Sequence, residues 1–350
     1  MDAHHLPASE LHRVADLWYD DGNIVIQAGD AQYRVYRGTL ARRSSVFRDL
    51  FSVPQPEDET LVDGCPFVRL PDAEEEVTPF LKALFDTEFF HSYPTPTTFS
   101  AIYGCLRLSH KYEVPNLTQR ALVHLSSPFH TSLQQVESLR LCDGVSSSAW
   151  EEDHYFSRPA NWAWKEPAAA LICIAQLARQ VGALWVLPTV FYHLTVADVG
   201  RDLYLGVQHA GITASLSSAD QDAIHAAGPA LSSATLAIMA ILTVKGATPG
   251  CTTPLECLAR RLDLVAMRQA HFSQHIRDPL HVWVPNNFTF LGGWLACNVC
   301  ADFLAPHVRA VKDELWEDLP GLYGLPSWDD LRALKSASIG EAFADVLDDD

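Results

Sequence analysis

The chain has 350 residues, enough for two or three domains or one large domain, and 48% of them are hydrophobic, including nine Trp and 16 Phe. This composition excludes a largely disordered chain and predicts a sizeable core. The formal net charge is −18, with no basic tail or stripe, which argues against direct binding to nucleic acid or to an anionic membrane surface.

Targeting signals and thiol chemistry give an expectation for the compartment. No positively charged segment followed by an apolar run stands after Met1, so we expect no secretory signal. The longest apolar runs, residues 168–178 and 231–244, are shorter than the ~20 residues of a membrane helix. Together with eight cysteines, this pattern predicts reduced thiols in the cytoplasm, the nucleus or both.

The first predicted elements form a hairpin followed by two helices. Residues 23–27 and 31–36 are short β-like runs, and the Gly29-Asp30 pair between them is typical of a tight turn. Residues 36–51 predict a short helix and then a second helix that ends in Phe-x-x-Leu-Phe. An apolar stripe in the second helix predicts one buried face.

A third strand and three helices are predicted next. Residues 67–70 favour the strand, and Asp72 stands at an N-cap position with Glu75 three residues later, a capping box. Thr98 and Pro115 predict the starts of the two further helices, as a side-chain cap and as a first-turn proline.

The rest of the chain is predicted to be mostly helical. Residues 129–165 are predicted to be an irregular linker, since the segment is loose and rich in Ser and Trp. From residue 166 onward the apolar pattern predicts helices at residues 169–181, 184–195, 233–244 and 253–268.

Three segments carry a resemblance to a known family. Residues 36–51, then Lys-Tyr-Glu-Val-Pro-Asn-Leu at 111–117, follow one another as in a BTB/POZ domain. The ending at 315–328, Leu-Trp-Glu-Asp-Leu-Pro-Gly-Leu-Tyr-Gly-Leu-Pro-Ser-Trp, is similar to that of a large group of BTB proteins of mushroom-forming fungi. With it, the resemblance covers nearly the whole chain.

The resemblance implies an α+β fold, with an N-terminal BTB/POZ domain of a small sheet flanked by helices and a mostly α-helical C-terminal region. The implied organisation is a lead-in (1–17), the BTB/POZ domain (18–128), the linker (129–165) and a helical domain with the Leu-Pro-Gly-Leu-Tyr-Gly-Leu-Pro-Ser-Trp segment (166–345). We call residues 315–328 the C-terminal clasp, since its apolar side chains are suited to docking.

A non-catalytic adaptor or scaffold is the function that the resemblance implies. The expected partners are proteins: a BTB domain, a cullin subunit of a ubiquitin ligase, and a client recruited by the helical region. A lead-in of about 17 residues is short for a strand-swapped dimer, so we expect a monomer or an unswapped dimer. The partner, the pathway and the binding of a cullin stay open at this stage.

Four cysteines are the candidate metal ligands, although we expect no cofactor. Cys297 and Cys300 form a Cys-x-x-Cys pair, and Cys251 and Cys257 form a second pair of looser spacing. The sequence favours buried thiols at these positions over a zinc site, with a zinc-stabilised structural protein as the alternative. Three histidines are further candidate ligands: His271, His275 and His307.

Catalytic motifs give no recognisable active site. No Gly-x-Ser-x-Gly elbow and no phosphate-binding glycine loop occurs in the sequence. An enzyme using Cys297, Cys300 or the histidines in the helical region remains the least favoured alternative. Arg42 and Arg43 are predicted to face solvent, with partner recruitment as the alternative, and Asp21 is expected to orient the fold.

Overall fold

The fold is mixed α/β, with a small sheet near the N-terminus and a helical C-terminal region. The structure is a computed structural model. It describes residues 11–53, 61–142, 162, 167–197, 199–246, 248–267, 276–282, 297–341 and 343–344.

Five strands form the main sheet, in the order β1-β3-β2-β5-β4. The β2–β3 hairpin is antiparallel, whereas β5 runs parallel to β2 and β1 runs parallel to β3. The turn residue Gly29 has φ +56°, a conformation that favours glycine. The strands are β1 His12–Trp18, β2 Ile24–Ala28, β3 Ala31–Val35, β4 Leu61–Val62 and β5 Cys65–Leu70.

Six helices accompany this sheet. The predicted N-cap at Thr98 is confirmed, since its hydroxyl accepts from the Ala101 amide at 3.2 Å, and a helix begins at Pro115 as predicted. The helices are α1 Arg37–Arg43, α2 Ser45–Ser52, α3 Glu74–Phe85, α4 Phe99–Lys111, α5 Pro115–Ser126 and α6 Leu133–Cys142.

The C-terminal region is helical apart from one small hairpin, within the residues that the structure describes. A 3-10 turn, Leu184–Val186, leads directly into one of its helices. The hairpin strands are β6 Val207–His209 and β7 Ile212–Ala214, and the helices are α7 Pro167–Val181, α8 Leu187–Ala197, α9 Asp202–Leu205, α10 Ser218–Thr243, α11 Pro254–Met267, α12 Pro279–Val282, α13 Asn298–Leu322 and α14 Trp328–Ile339.

One hydrophobic core runs through the sheet, its helices and most of the C-terminal region. Polar contacts accompany this packing: Trp185 Nε1 donates to Ser126 Oγ at 2.9 Å, and Gln119 Nε2 donates to the Ile339 carbonyl at 2.9 Å. Because apolar burial provides most of the stabilisation of a fold, the N-terminal sheet and the C-terminal helices stabilise each other.

The predicted capping box at Asp72 is wrong. Helix α3 begins at Glu74 with Ala73 as its N-cap, and no side chain caps it. Asp72 is instead buried and accepts hydrogen bonds from Lys111 Nζ at 2.6 Å and from the Tyr112 hydroxyl at 2.6 Å. A lysine ammonium and a buried hydroxyl hold this buried carboxylate more strongly than an exposed helix end does.

Helix α10 is longer than the predicted segment 233–244. Its first half contains polar residues and Pro229, which weaken the apolar pattern, while Ser217 caps the start by accepting from the Asp220 amide at 3.1 Å. By length and composition alone, this helix is the one described helix that could cross a membrane, a test that core helices of soluble proteins also pass. On the first turn of α10, buried Asp220 forms an ion pair with Arg179 of α7 at 2.6 Å.

The structure also differs from the irregular linker expected at residues 129–165, because α6 lies within it. This helix has a weak apolar pattern and is anchored by charge. Buried Glu137 pairs with Arg309 at 2.6 Å and with Lys312 at 3.4 Å, both on α13. Because ion pairs hold this helix in place, its sequence shows little of the apolar periodicity by which a helix is predicted.

The C-terminal clasp spans the end of α13 and the start of α14. Tyr323 is buried, and its hydroxyl lies 3.0 Å from Thr195 Oγ1 on α8. Gly324 has φ +63°, and the Leu325 amide donates to the Pro320 carbonyl at 2.9 Å. This glycine-assisted helix end turns the chain so that the side chains on both sides of it face the core.

Candidate metal centre

The four candidate cysteines come together in space. The Sγ atoms of Cys251, Cys257, Cys297 and Cys300 all lie within 4.8 Å of one another. Cys251 Sγ is 3.8 Å from Cys257 Sγ and 3.7 Å from Cys297 Sγ. We call these residues the four-cysteine cluster.

Two helix starts position three of the four thiols. Cys257 lies in the first turn of α11, and its amide donates to the Thr253 carbonyl at 3.0 Å. Cys297 is the N-cap residue of α13, and the Cys300 amide donates to the Cys297 carbonyl at 3.0 Å. A helix N-terminus is a favourable place for the negative charge of a metal-bound thiolate.

A tight turn before α11 brings in the fourth thiol. Gly250 has φ +80°, and the Cys251 amide donates to the Thr248 carbonyl at 3.1 Å. The chain then turns again at Pro254, so the looser Cys251–Cys257 spacing still directs both side chains to one point. The turn explains why this pair departs from the usual short ligand spacing.

Hydrogen bonding and burial act in opposite directions on the thiols. The Cys297 backbone N–H, 3.5 Å from Cys257 Sγ, lowers the pKa of the Cys257 thiol to about 7. Burial raises the pKa of Cys251, and it raises the pKa of Cys300 to about 12. Without a cation, Cys257 is therefore the one of these three thiols that ionises most readily.

Sequence patterns missed two threonines of this site. The Thr253 hydroxyl lies 3.6 Å from Cys257 Sγ, and the Thr248 hydroxyl bonds to Cys300. Their position directly before Pro249 and Pro254 marks turns, and that was the only available signal. Both hydroxyls partly satisfy sulfur atoms that are shielded from water.

The histidine candidates do not join the cluster in the described residues. His307 is exposed on α13, and its Nδ1 lies 2.7 Å from the Phe303 carbonyl of the same helix. His271 and His275 lie outside the described residues. A closed set of four thiols suits a structural metal, because a catalytic metal keeps a position open for water or substrate.

The other residues singled out in the sequence lie in the N-terminal part. Arg42 and Arg43 are exposed at the end of α1, as predicted. Asp21 accepts a hydrogen bond from the Tyr36 hydroxyl at 2.6 Å, which links the residues before β2 to the end of β3. This contact fits the orienting role expected for Asp21.

Comparison of the chain with family models, with curated proteins and with solved structures gives no match.

Proposed function

We propose that this chain is a non-catalytic protein-interaction module of the BTB/POZ type that acts as an adaptor or scaffold. The observation that carries the proposal is the order of elements between Ile24 and Ser126. A hairpin, two short helices, a strand parallel to the first hairpin strand and three helices follow one another. This order agrees with the BTB resemblance of residues 36–51 and 111–117.

A basic and apolar surface at α1 and α2 is the proposed contact for a partner. Arg42 and Arg43 are exposed at the end of α1, and Leu50 and Val53 at the end of α2 are 41% and 60% exposed. Within the described residues, no hydrogen bond or ion pair holds the side chains of Arg42 and Arg43. In a chain of net charge −18, this surface favours an acidic partner segment.

Affinity purification of the tagged full-length protein, followed by mass spectrometry, tests the proposal. We expect recovery of a BTB protein or a cullin subunit, and loss of that partner with the double variant Arg42→Glu/Arg43→Glu. The matched control is Arg201→Glu/Arg260→Glu, which makes the same charge change at exposed positions of the C-terminal region. The control should keep the partner.

Two outcomes would contradict the proposal. The first is failure to recover any BTB protein or cullin subunit with the unmodified chain. The second is equal loss of the partner in both double variants, which would indicate a general charge effect instead of a local contact.

The proposed oligomeric state is a monomer or an unswapped dimer. Strand β1 already pairs with β3 of its own chain, and Asp16 on β1 binds Lys82 at 2.7 Å. A strand engaged in its own sheet is not available for exchange without breaking these contacts. Light scattering that gave a stable, concentration-independent dimer would argue against the monomer.

An enzymatic role is less well supported. A cavity of about 180 Å³ is lined by Ser92, Tyr93, Asn116, Gln119, Arg120, Val123 and Phe343. Its lining includes none of the cysteines or histidines that the enzymatic alternative would use. This cavity therefore does not provide the catalytic groups that the enzymatic alternative requires.

A further inference from the structure

We propose that the four-cysteine cluster binds one Zn²⁺ ion as a structural centre of the C-terminal region. A zinc–sulfur bond of about 2.3 Å in a tetrahedron places neighbouring sulfurs about 3.8 Å apart. The two distances from Cys251 Sγ, 3.8 Å to Cys257 and 3.7 Å to Cys297, match this edge length. The remaining pairs lie within 4.8 Å, so binding requires a contraction of about 1 Å at most.

The distances fit a shared cation better than disulfide bonds. A disulfide joins two sulfurs about 2.05 Å apart and leaves other sulfurs outside bonding distance. Here Cys251 is nearly equidistant from two cysteines, and the seven cysteines whose side chains are described are free thiols. Four sulfurs gathered around one point are what a tetrahedral ion requires.

The choice of metal follows from the donors. Four thiolates in a tetrahedron suit zinc or iron, whereas calcium and magnesium require oxygen ligands. Zinc is the commoner occupant of a closed four-cysteine site with no redox role. The Cys297 N–H bond to Cys257 Sγ is the kind of second contact that fixes a metal-bound thiolate.

A small satellite core gives the ion its structural role. Ile238, Leu242, Cys257, Cys300 and Val308 form a buried cluster separate from the main core. Two of these five side chains are cysteines of the proposed site. A core of so few apolar side chains provides little hydrophobic stabilisation. The metal would therefore hold the ends of α10, α11 and α13 together.

One further contact joins two of the helices around the four-cysteine cluster. The buried Arg261 guanidinium on α11 donates to the Leu242 carbonyl at 3.3 Å and to the Val244 carbonyl at 3.2 Å. These carbonyls end α10, so Arg261 ties α11 to the end of that helix. The metal and Arg261 would both hold α11 close to the end of α10.

Metal analysis of the full-length protein tests the site. The protein is purified in reducing buffer without chelator, and metals are measured by mass spectrometry. We expect about one zinc per wild-type chain, because a folding site needs near-full occupancy. The variant Cys297→Ser/Cys300→Ser lacks two of the four ligands and should hold less than about 0.2 zinc per chain. Cys65→Ala and Cys173→Ala remove buried thiols elsewhere and should retain the zinc.

A second measurement keeps the test decisive if the double variant fails to fold. Zinc is removed from the wild-type protein with a chelator and replaced by Co²⁺ under reducing conditions. Absorption bands of tetrahedral sulfur-ligated cobalt are expected at one Co²⁺ per chain. Wild-type protein with less than about 0.2 zinc that takes up neither Zn²⁺ nor Co²⁺, or that carries iron, overturns the proposal.

Discussion

The indole ring of Trp328 stacks on that of Trp316, with ring centres 4.8 Å apart and the planes 12° from parallel. Trp328 Nε1 also donates to the Trp316 carbonyl at 2.6 Å. Trp316 lies on α13 and Trp328 begins α14, so one aromatic pair closes the C-terminal clasp. Both side chains are buried.

Replacing Trp328 should destabilise the whole chain. Because a large buried aromatic is lost and a cavity is left, Trp328→Ala is expected to lower the free energy of unfolding by about 3–5 kcal/mol. Urea denaturation followed by circular dichroism measures the change. The variant Trp328→Phe keeps a ring against Trp316 and should cost less. Equal costs for the two variants would show that stacking contributes nothing.

Replacing Asp72 should destabilise the N-terminal part. Its carboxylate is 2% exposed and holds Lys111 and Tyr112, which end α4. Asp72→Ala is expected to destabilise the protein by about 2–3 kcal/mol, since the Tyr112 hydroxyl stays buried while Lys111 can return to water. Chemical denaturation measures the change.

The matching controls separate the two partners of Asp72. Tyr112→Phe should cost about 1 kcal/mol, the value of one hydrogen bond, and Lys111→Met less than that, because Lys111 is 41% exposed. A double-mutant cycle between Asp72 and Tyr112 should give a coupling energy. Additive effects of the two substitutions would contradict a direct contact.

The sequence predicted the elements whose signal is local. Turn residues and short apolar runs located the β2–β3 hairpin and the helices that Thr98 and Pro115 begin. It failed where a distant partner decides the outcome. Asp72 has the spacing of a helix cap, but Lys111 and Tyr112, about 40 residues away, satisfy its carboxylate in a buried position. Helix α6 was missed for the same reason, since its anchor lies on α13.

The sequence identified the cysteines of the candidate site but did not predict that all four lie close together. Cys251, Cys257, Cys297 and Cys300 were singled out by type and spacing, yet buried separate thiols were favoured because the first pair is loosely spaced. The convergence depends on Gly250, whose positive φ turns the chain, and on the packing of α10 against α13. Neither is visible in a ligand-spacing pattern.

A glycine at the contact of α3 and α4 provides a packing test. A Cβ atom added to Gly104 would lie 2.5 Å from Pro79 Cγ and 2.8 Å from the Glu76 carbonyl oxygen. Gly104→Ala should therefore destabilise the protein by about 1–3 kcal/mol, since the helices must separate. Thermal denaturation measures the shift.

Gly38 is the matched control for this substitution. It also lies in a helix, α1, but a Cβ atom there would meet nothing within 4 Å. Gly38→Ala is expected to be neutral or to stabilise the protein by up to about 1 kcal/mol, because alanine restricts the unfolded chain. A similar loss in both variants would contradict the close approach at Gly104.

His124 should make the stability depend on pH. It is fully buried on α5, with Nε2 2.9 Å from the His91 carbonyl and the Phe90 ring beside it. Burial lowers the pKa of His124 below its usual 6.5, and the positive charge of Arg120 lowers it further, while the His91 carbonyl acts in the opposite direction. The folded chain therefore favours the neutral imidazole.

The sign of the effect follows from proton binding. Below pH 6.5 the unfolded chain protonates His124 and the folded chain does not, so stability is complete above pH 6.5 and is lost as the pH falls through the lower folded-state pKa. The variant His124→Gln keeps a donor without this titration and should show a shallower fall. Free energies of unfolding at several pH values measure both slopes. Acid release of a bound metal would act on both proteins alike, so equal slopes would contradict the role of His124.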